Sequence, residues 1–488
     1  MSPAPTYSPN GYDFKKIEFG KADALKEANT ESLLVEGFLD AYGFLDEILY
    51  GDKYYVIGPK GSGKSAIGAK VMLSARNSSE ISADVLYLEQ FDYSGFSGVI
   101  PGAGEPIKKT LETWQFLIAA KFIEMYSNME LEYLEDSKRM KQICQALREI
   151  GLLPSVDFNT LIDRMKRRDF KFSFKGFSLE SSSKIQNTDI RRMISNVIDA
   201  FYSISPRKKC FIFIDGLDSI LGKRESEYQI LSGLIHATDI INTSLIKKGI
   251  NSKLIVLCRD DVLDKLKDPN KTKFIQDSGI ILDWHQDVAE VRETNLNKLL
   301  DLRAKVSLGA DVSVVDEFLP PSVKSEDHSF KDILKYLLDY TRMIPRDIIQ
   351  LMNNIQKVSY TFGASTNSIK NGIRKYSEGY FYSEVTDALV GMISDREIDL
   401  SFNAIRSVGK IETDSVELIK SMGVPKEDGV RILSALYDAG AIINYKIVSG
   451  KRFYTSKFRN RHSTFNENNL IIVHSGLHKA FSLGNDEN

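Results

Sequence analysis

Short runs of nearly unbroken apolar residues, separated by longer stretches with helical spacing, fill the chain from residue 51 to about 305. The runs at 54–57, 85–90, 210–214, 254–257 and 279–284 read as strands, and "CFIFI" and "LIVL" have the continuous apolarity of strands covered on both faces. Alternation of such strands with amphipathic helices predicts a parallel α/β sheet domain over 51–305. Ahead of it, residues 1–50 comprise a Pro-, Ser- and Tyr-rich loose tail and lead-in helices running from "YDFKKIEFG" to "GFLDAYGFLDEIL". Between about 125 and 200 the alternation breaks. A charged, mostly helical insertion there carries "RRDFKFSFKGFSLE", in which Phe170, Phe172 and Phe174 alternate with Lys171, Ser173 and Lys175 at the period of a strand or hairpin. Residues 306–400 keep helical spacing, and 401–488 read as a small separate domain.

A chain of 488 residues is too long for one ordinary core, so two to four domains are expected. Lys and Arg number 64 against 66 Asp and Glu, a net charge of -2 that argues against a protein that coats polyanions over its whole surface but leaves room for a local basic patch. Cys144, Cys210 and Cys258 are far apart and form neither a disulfide framework nor a zinc signature. No apolar run approaches the ~18 residues of a membrane span, and "MSPAPTYSPN" lacks the basic and apolar regions of a secretory signal. A cytoplasmic protein without membrane contact is the expectation.

Candidate chemistry concentrates in "GPKGSGKS", residues 58–65, between the run "YYVI" and the helical "AIGAKVML". It fits G-x-x-x-x-G-K-[ST] at every fixed position, with Gly58, Gly63, Lys64 and Ser65. Glycines let a backbone curl so that its N–H groups meet phosphate oxygens beside the positive end of a helix. Gly58, Pro59, Lys60, Gly61, Ser62, Gly63, Lys64, Ser65 and Ala66 are therefore the expected phosphate cradle, with Lys64 reaching the β- and γ-phosphates and Ser65 a ligand of Mg²⁺. Such a loop needs an acid on a neighbouring strand, and Asp215, ending "CFIFID", is the candidate metal-side carboxylate. Many P-loop ATPases follow this aspartate with a glutamate that polarises water; here Gly216 follows, and Asp218 is the next acid. Two readings stand for Asp218: it orients water or the metal shell, or it caps the next helix. Arg259, just past the run 254–257, either contacts the γ-phosphate or is an ordinary solvated residue. That run is expected between the two motif strands if the strand order is of the additional-strand type. Pro345 and Arg346, in "TRMIPRDIIQLM", open a helix, where proline has a purely structural explanation.

Together, "GPKGSGKS", "FIFIDGLD", Arg259 and the "IPRDII" turn resemble AAA+ and STAND-type ATPases, the broad group that includes origin-recognition initiators. The resemblance implies an additional-strand P-loop sheet followed by a helical lid-like domain, ATP and Mg²⁺ as cofactors, adenine contact by Pro345 and a second sensor at Arg346. Position 343 is Met where the STAND pattern usually has Gly. The lead-in "FGKADALKEANTESLLVEGFLD", the loop "GPKGSGKSAI" and the ending "FRNRHSTFNENNLIIVHSGLHKAF" also look like a family of poorly characterised bacterial P-loop ATPases, whose setting is often defence or mobile elements.

The end of the chain reads as helix, turn, helix and hairpin: a first helix from about Asp414, the "MGVPKED" turn, a second helix to Asp438 ended by Gly440, then two alternating strands around "VSG". This is the order of a winged helix. Between Ala439 and Asn466 lie Lys446, Lys451, Arg452, Lys457, Arg459 and Arg461 with no Asp or Glu, which suits phosphate contact. The helix that would enter a groove is apolar and carries Glu427, Asp428 and Asp438, which suits base reading poorly. Nucleic-acid contact and protein docking both remain open. For "RRDFKFSFKGF", a strand with one buried phenylalanine face is preferred to a single-strand nucleic-acid site, and His474 and His478 read as structural histidines.

The sequence thus points to an ATP-binding and hydrolysing switch whose C-terminal module engages double-stranded DNA or a protein, with further copies of the chain assembling in the active state. A nucleotide-gated scaffold with little turnover is the alternative, motivated by Gly216. A small-molecule kinase is disfavoured because no acceptor pocket is legible. No guanine-reading N/T-K-x-D motif stands at a convincing place, which favours ATP over GTP.

Overall fold

The computed structural model describes residues 10–27, 31–88, 91, 96, 106–149, 158–159, 162–163, 187–217, 225–266, 268, 270–286, 288–324 and 329–483. Phe170, Phe172, Phe174 and Asp218 lie outside the described residues. The chain divides into two compact units: Gly43–Gly58 with Ile67–Ile281, and Met1–Tyr42 with Pro59–Ala66 and Leu282–Asn488.

The first unit is a five-stranded sheet, β1 (Tyr55–Gly58), β2 (Ile81–Tyr87), β3 (Lys209–Asp215), β4 (Ser252–Arg259) and β5 (Gly279–Ile281), in the order β2-β3-β4-β1-β5. All pairs are parallel. β4 lies between β1 and β3, as the additional-strand order requires. Every residue of β4 is buried, and in β3 Cys210 through Ile214 are fully enclosed, which is why these runs lack polar alternation. Helices α1 (Lys64–Arg76), α2 (Pro106–Tyr126), α3 (Leu134–Glu149), α4 (Asn187–Phe201) and α5 (Glu225–Lys248) connect or accompany the strands. Trp114 of α2 donates its indole N–H to the Ile230 carbonyl of α5 at 2.8 Å, satisfying a polar atom inside the aromatic cluster of Phe91, Phe96 and Phe158. Lys253 is buried at the base of the sheet, where its ammonium donates to the carbonyls of Ile48, Gly51 and Lys53.

The second unit is mostly helical. α6 (Asn295–Leu308), α7 (Pro345–Lys357), α8 (Thr366–Tyr376) and α9 (Tyr382–Leu389) build it, with the small hairpin β6 (Ser322–Lys324) and β7 (Phe330–Asp332) inside a stretch whose spacing predicts only helix. A π turn, Ser377–Phe381, joins α8 to α9. Then come α10 (Asp395–Val408), β8 (Glu412–Thr413), α11 (Ser415–Met422), α12 (Lys426–Asp438), β9 (Ile442–Val448), β10 (Lys451–Thr455) and β11 (Leu470–Val473). The antiparallel order is β10-β9-β11-β8. Asp414 caps α11 through its side chain, and Gly423 and Gly440 follow α11 and α12 with positive φ. One contiguous apolar core runs from Phe14 through α6–α9 to Leu483. It includes the lead-in: Phe14, Ile17 and Phe19 are buried, and Phe14 stacks on Phe318 at 5.1 Å.

Candidate functional site

At the carboxyl end of the sheet, register places Gly58 of β1 beside Arg259 of β4. Asp215 closes β3, paired with Tyr87. The carboxylate oxygen Oδ1 of Asp215 accepts the Gly216 N–H at 2.8 Å, and Gly216 holds φ +82°. Any residue with a Cβ is strained in that conformation, so the backbone itself disfavours a glutamate directly after Asp215. Arg259 is buried, at 7% exposure, rather than solvated. Its guanidinium grips Asp261 with two bonds, Nε to Oδ1 at 2.9 Å and Nη2 to Oδ2 at 2.5 Å. Contact with a γ-phosphate would require exchange of this charge-assisted pair.

β1 leads straight into the glycine-rich loop, whose residues 59–66 belong by their contacts to the second unit. Gly61 at φ +84° and Gly63 at +99° need glycine; Gly63 is a fixed letter of the motif, and Gly61 stands at one of its variable positions. α1 begins at Lys64, so the N–H groups of its first turn point back into the loop without intrahelical partners. The Lys64 ammonium donates to the Pro59 carbonyl at 2.9 Å, a bond across the mouth of the loop that an anion can displace. Ser62 Oγ is buried with no hydrogen-bond partner, an orphan polar atom in a cradle suited to oxyanions.

The loop is held by Trp284, which the sequence pattern did not single out, and by Arg346, which it did. Trp284 donates its indole N–H to the Ser62 carbonyl at 2.8 Å, and the Arg346 backbone N–H reaches the Gly61 carbonyl at 3.3 Å. A Cβ on Gly61 would lie 3.0 Å from Ile344 Cδ1 and 3.1 Å from Arg346 Cβ. These contacts use loop carbonyls, not the N–H donors a phosphate needs. Lys60 and the Arg346 guanidinium both approach Glu384 Oε2, at 3.6 and 3.5 Å. Trp284 reads from sequence as the last residue of a strand; β5 stops at Ile281 and leaves it in the following turn.

Pro345 is the buried first residue of α7, the position where its fixed φ and missing N–H cost nothing. Met343, where the resembled pattern has glycine, takes the left-handed φ of +58°. The turn around it is tied down by Arg342 and Asp347, both fully enclosed: Nε and Nη2 of Arg342 reach the two carboxylate oxygens at 2.9 and 2.8 Å, and the Arg342 backbone N–H adds a third bond at 3.0 Å. Tyr380 of the π turn donates to the same carboxylate at 3.0 Å. The Arg342 charge holds Asp347 below the usual carboxylate range despite burial.

In the C-terminal module, Ser449 and Gly450 both have positive φ and make a two-residue turn between β9 and β10. Cross-strand register puts Lys446, Val448, Lys451 and Phe453 on one face and Ile447 with Arg452 on the other. Arg452 lies over the Tyr445 ring at 5.1 Å and pairs with Glu412 at 2.5 Å, so an acid from β8 meets a strip that is free of acids in the linear sequence. Lys457, Arg459 and Arg461 follow in the turn after β10, where Arg461 Nε donates to His462 Nε2 at 3.2 Å. In α12, Arg431 pairs with Glu397 and Asp428. His474 and His478 bond the backbone carbonyls of Thr341 and Val473, and His474 Nδ1 also accepts the Gly476 N–H. Among the described residues, no group of three or more His, Cys, Asp and Glu could hold a metal ion, and no helix is long and apolar enough to cross a membrane.

Residues 294–383 match the family described as the FunZ-associated C-terminal helical domain. This segment carries the Pro345–Arg346 turn and stops one residue before Glu384. No curated protein matches the chain significantly. Among solved structures, the Thermotoga maritima RuvB Holliday junction branch migration motor matches at 12% identity over 96% of this chain and 99% of that one, with a TM-score of 0.29. A single-substitution variant of the same motor matches at 13% identity, with the same coverage and a TM-score of 0.30. Likeness at these TM-scores carries no weight of its own. The α/β class rests instead on the five parallel strands and their order, and the one family assignment concerns the helical segment 294–383.

Proposed function

We propose that the chain is an ATP-binding and hydrolysing molecular switch of the AAA+ kind, with the loop at 58–65 as its phosphate site. The observation that carries this reading is the union of a complete phosphate-loop motif, positive φ at Gly61 and Gly63, and a helix starting at Lys64, all following the second-to-last strand of a 2-3-4-1-5 parallel sheet. A bound Mg²⁺–nucleotide supplies the transferable γ-phosphoryl group and a metal charge that offsets developing negative charge. The loop N–H groups and Lys64 orient the phosphates. Ser65 offers its hydroxyl to the metal from the loop, and Asp215 offers its carboxylate from the end of β3. Ser62, buried and unpartnered, gains a bond when an oxyanion enters. Arg259 acts as a phosphate sensor by exchanging Asp261 for anionic oxygen, and Asp218 helps to place water.

The alternative reading, a nucleotide-gated scaffold with little turnover, draws support from Gly216, whose conformation disfavours the usual glutamate. In either case the C-terminal module, winged-helix-like in its order of elements, contacts double-stranded DNA through Lys446, Lys451 and the turn bearing Lys457 and Arg459, or docks a protein there. Steady-state phosphate release by wild type and Asp215→Ala, with and without double-stranded DNA, separates the readings. Release that disappears in Asp215→Ala supports the ATPase, and stimulation by DNA ties the module to it. Nucleotide binding without release under every condition supports the scaffold.

A further inference from the structure

The carboxylate of Glu384 on α9 is the meeting point of three cations. Its Oε2 lies 3.6 Å from Lys60 Nζ, 3.5 Å from Arg346 Nη1 and 3.7 Å from Arg342 Nη2. The side chain is only 14% exposed, yet Oε2 makes no hydrogen bond. The contrast with the neighbouring acid is informative. Asp347 holds Arg342 by two bonds of 2.8–2.9 Å, receives a backbone N–H and Tyr380 as well, and is fully buried. Glu384 attracts Lys60 and Arg346 through charge alone, at distances where no directional bond must be broken for either cation to leave. Arg342 lies in the turn before α7 and Arg346 in the first turn of α7, one fixed and one loosely tethered. The tethered one is 26% exposed, and its own backbone N–H touches the phosphate loop at Gly61.

We propose that Glu384 is a positioning residue that holds Lys60 and Arg346 together beside the phosphate loop and yields Arg346 to a nucleoside triphosphate. The inference rests on the loop being a nucleotide site. A triphosphate presents more negative charge to the loop than a diphosphate, so it competes better with one carboxylate for Arg346. Glu384 thereby sets how strongly the loop distinguishes the two, and it links the loop to α9 through the charge it loses when Arg346 moves. Its partner in this exchange is Lys60, which stays with the carboxylate and keeps it from being left buried without a counter-charge.

The test uses the full chain with ADP and a non-hydrolysable ATP analogue, measured by displacement of a fluorescent nucleotide, for wild type, Glu384→Gln, Arg346→Ala and the double variant. Removing the competing carboxylate should raise the preference for triphosphate over diphosphate by ~10-fold, the low end of the scale of one bond to a charged group. Arg346→Ala should lower that preference, and Glu384→Gln should add nothing in the Arg346→Ala background. An unchanged preference in Glu384→Gln, or a change that persists without Arg346, overturns the proposal while leaving the nucleotide site intact. If Glu384→Gln does not fold, Arg346→Ala alone decides, since an unchanged preference there removes the exchange. Wild type that binds neither nucleotide overturns the phosphate-site reading and this inference with it.

Discussion

Gly216 holds φ +82° directly after Asp215, with its N–H bonded to the aspartate side chain. The missing glutamate is therefore a matter of backbone as well as side chain. Gly216→Glu should lower stability by about 1 kcal/mol through left-handed strain and leave phosphate release at or below the wild-type rate; a clear gain in turnover with unchanged melting would contradict this. A second residue-scale prediction concerns His474, whose pKa burial pushes down to about 3 from the ordinary 6.5, with Arg342 and His478 adding to the depression and Asp347 opposing it. The folded state keeps this histidine neutral while the unfolded chain protonates it, so stability is full above pH 6.5 and falls as pH drops below it. Melting temperature should decline between pH 7 and 5, and His474→Asn should flatten that decline; an equal slope in both proteins would exclude His474 as its source. Lys64, Ser65 and Asp215 stand out in the sequence as candidates because Lys64 and Ser65 fall in a motif of fixed spacing and Asp215 ends a buried apolar run. Glu384 and Trp284 do not, because they reach the loop from more than 200 residues away through a carboxylate and an indole that no local pattern marks.

At the scale of elements, apolar runs predicted all five strands of the parallel sheet, with edges moved by a few residues where polar ends such as Ser252 and Arg259 still pair. The β6–β7 hairpin escaped because three-residue strands leave no period to read. The C-terminal hairpin was readable from "VSG", whose Ser449 and Gly450 supply the two positive φ values of a tight turn. Its electrostatics were not, since Glu412 joins through the sheet and not through the sequence. If the hairpin binds DNA, Lys451→Ala should weaken binding and reduce the salt slope by about 0.9 per lost phosphate contact. Arg452→Ala should change the slope less, because its charge is already committed to Glu412 on the opposite face. Equal effects of the two substitutions would contradict this division of faces.

On the scale of the whole molecule, the first dozen residues read as a loose tail and those from Tyr12 on as a helical lead-in to a sheet domain, but Asn10 bonds Glu317, the Phe14 N–H bonds the Thr361 carbonyl, and Gln356 donates to the carbonyls of Phe14 and Ile17. The lead-in is thus part of the helical core, and nothing in its local pattern could name partners 300 residues away. Phe14→Ala should cost about 3–5 kcal/mol, the usual cost of emptying a fully buried aromatic site, and melting data that match wild type would remove the segment from the core. The loop itself is likewise divided, continuous with β1 in sequence and held by Trp284, Arg346 and Glu384 in space. Calorimetric titration of Mg²⁺–ATP into wild type and Lys64→Ala tests the central claim most directly. The account predicts one site per chain, with affinity reduced at least about tenfold by loss of one bond from a charged donor. Equal affinity in the two proteins, or no binding to wild type, would contradict it.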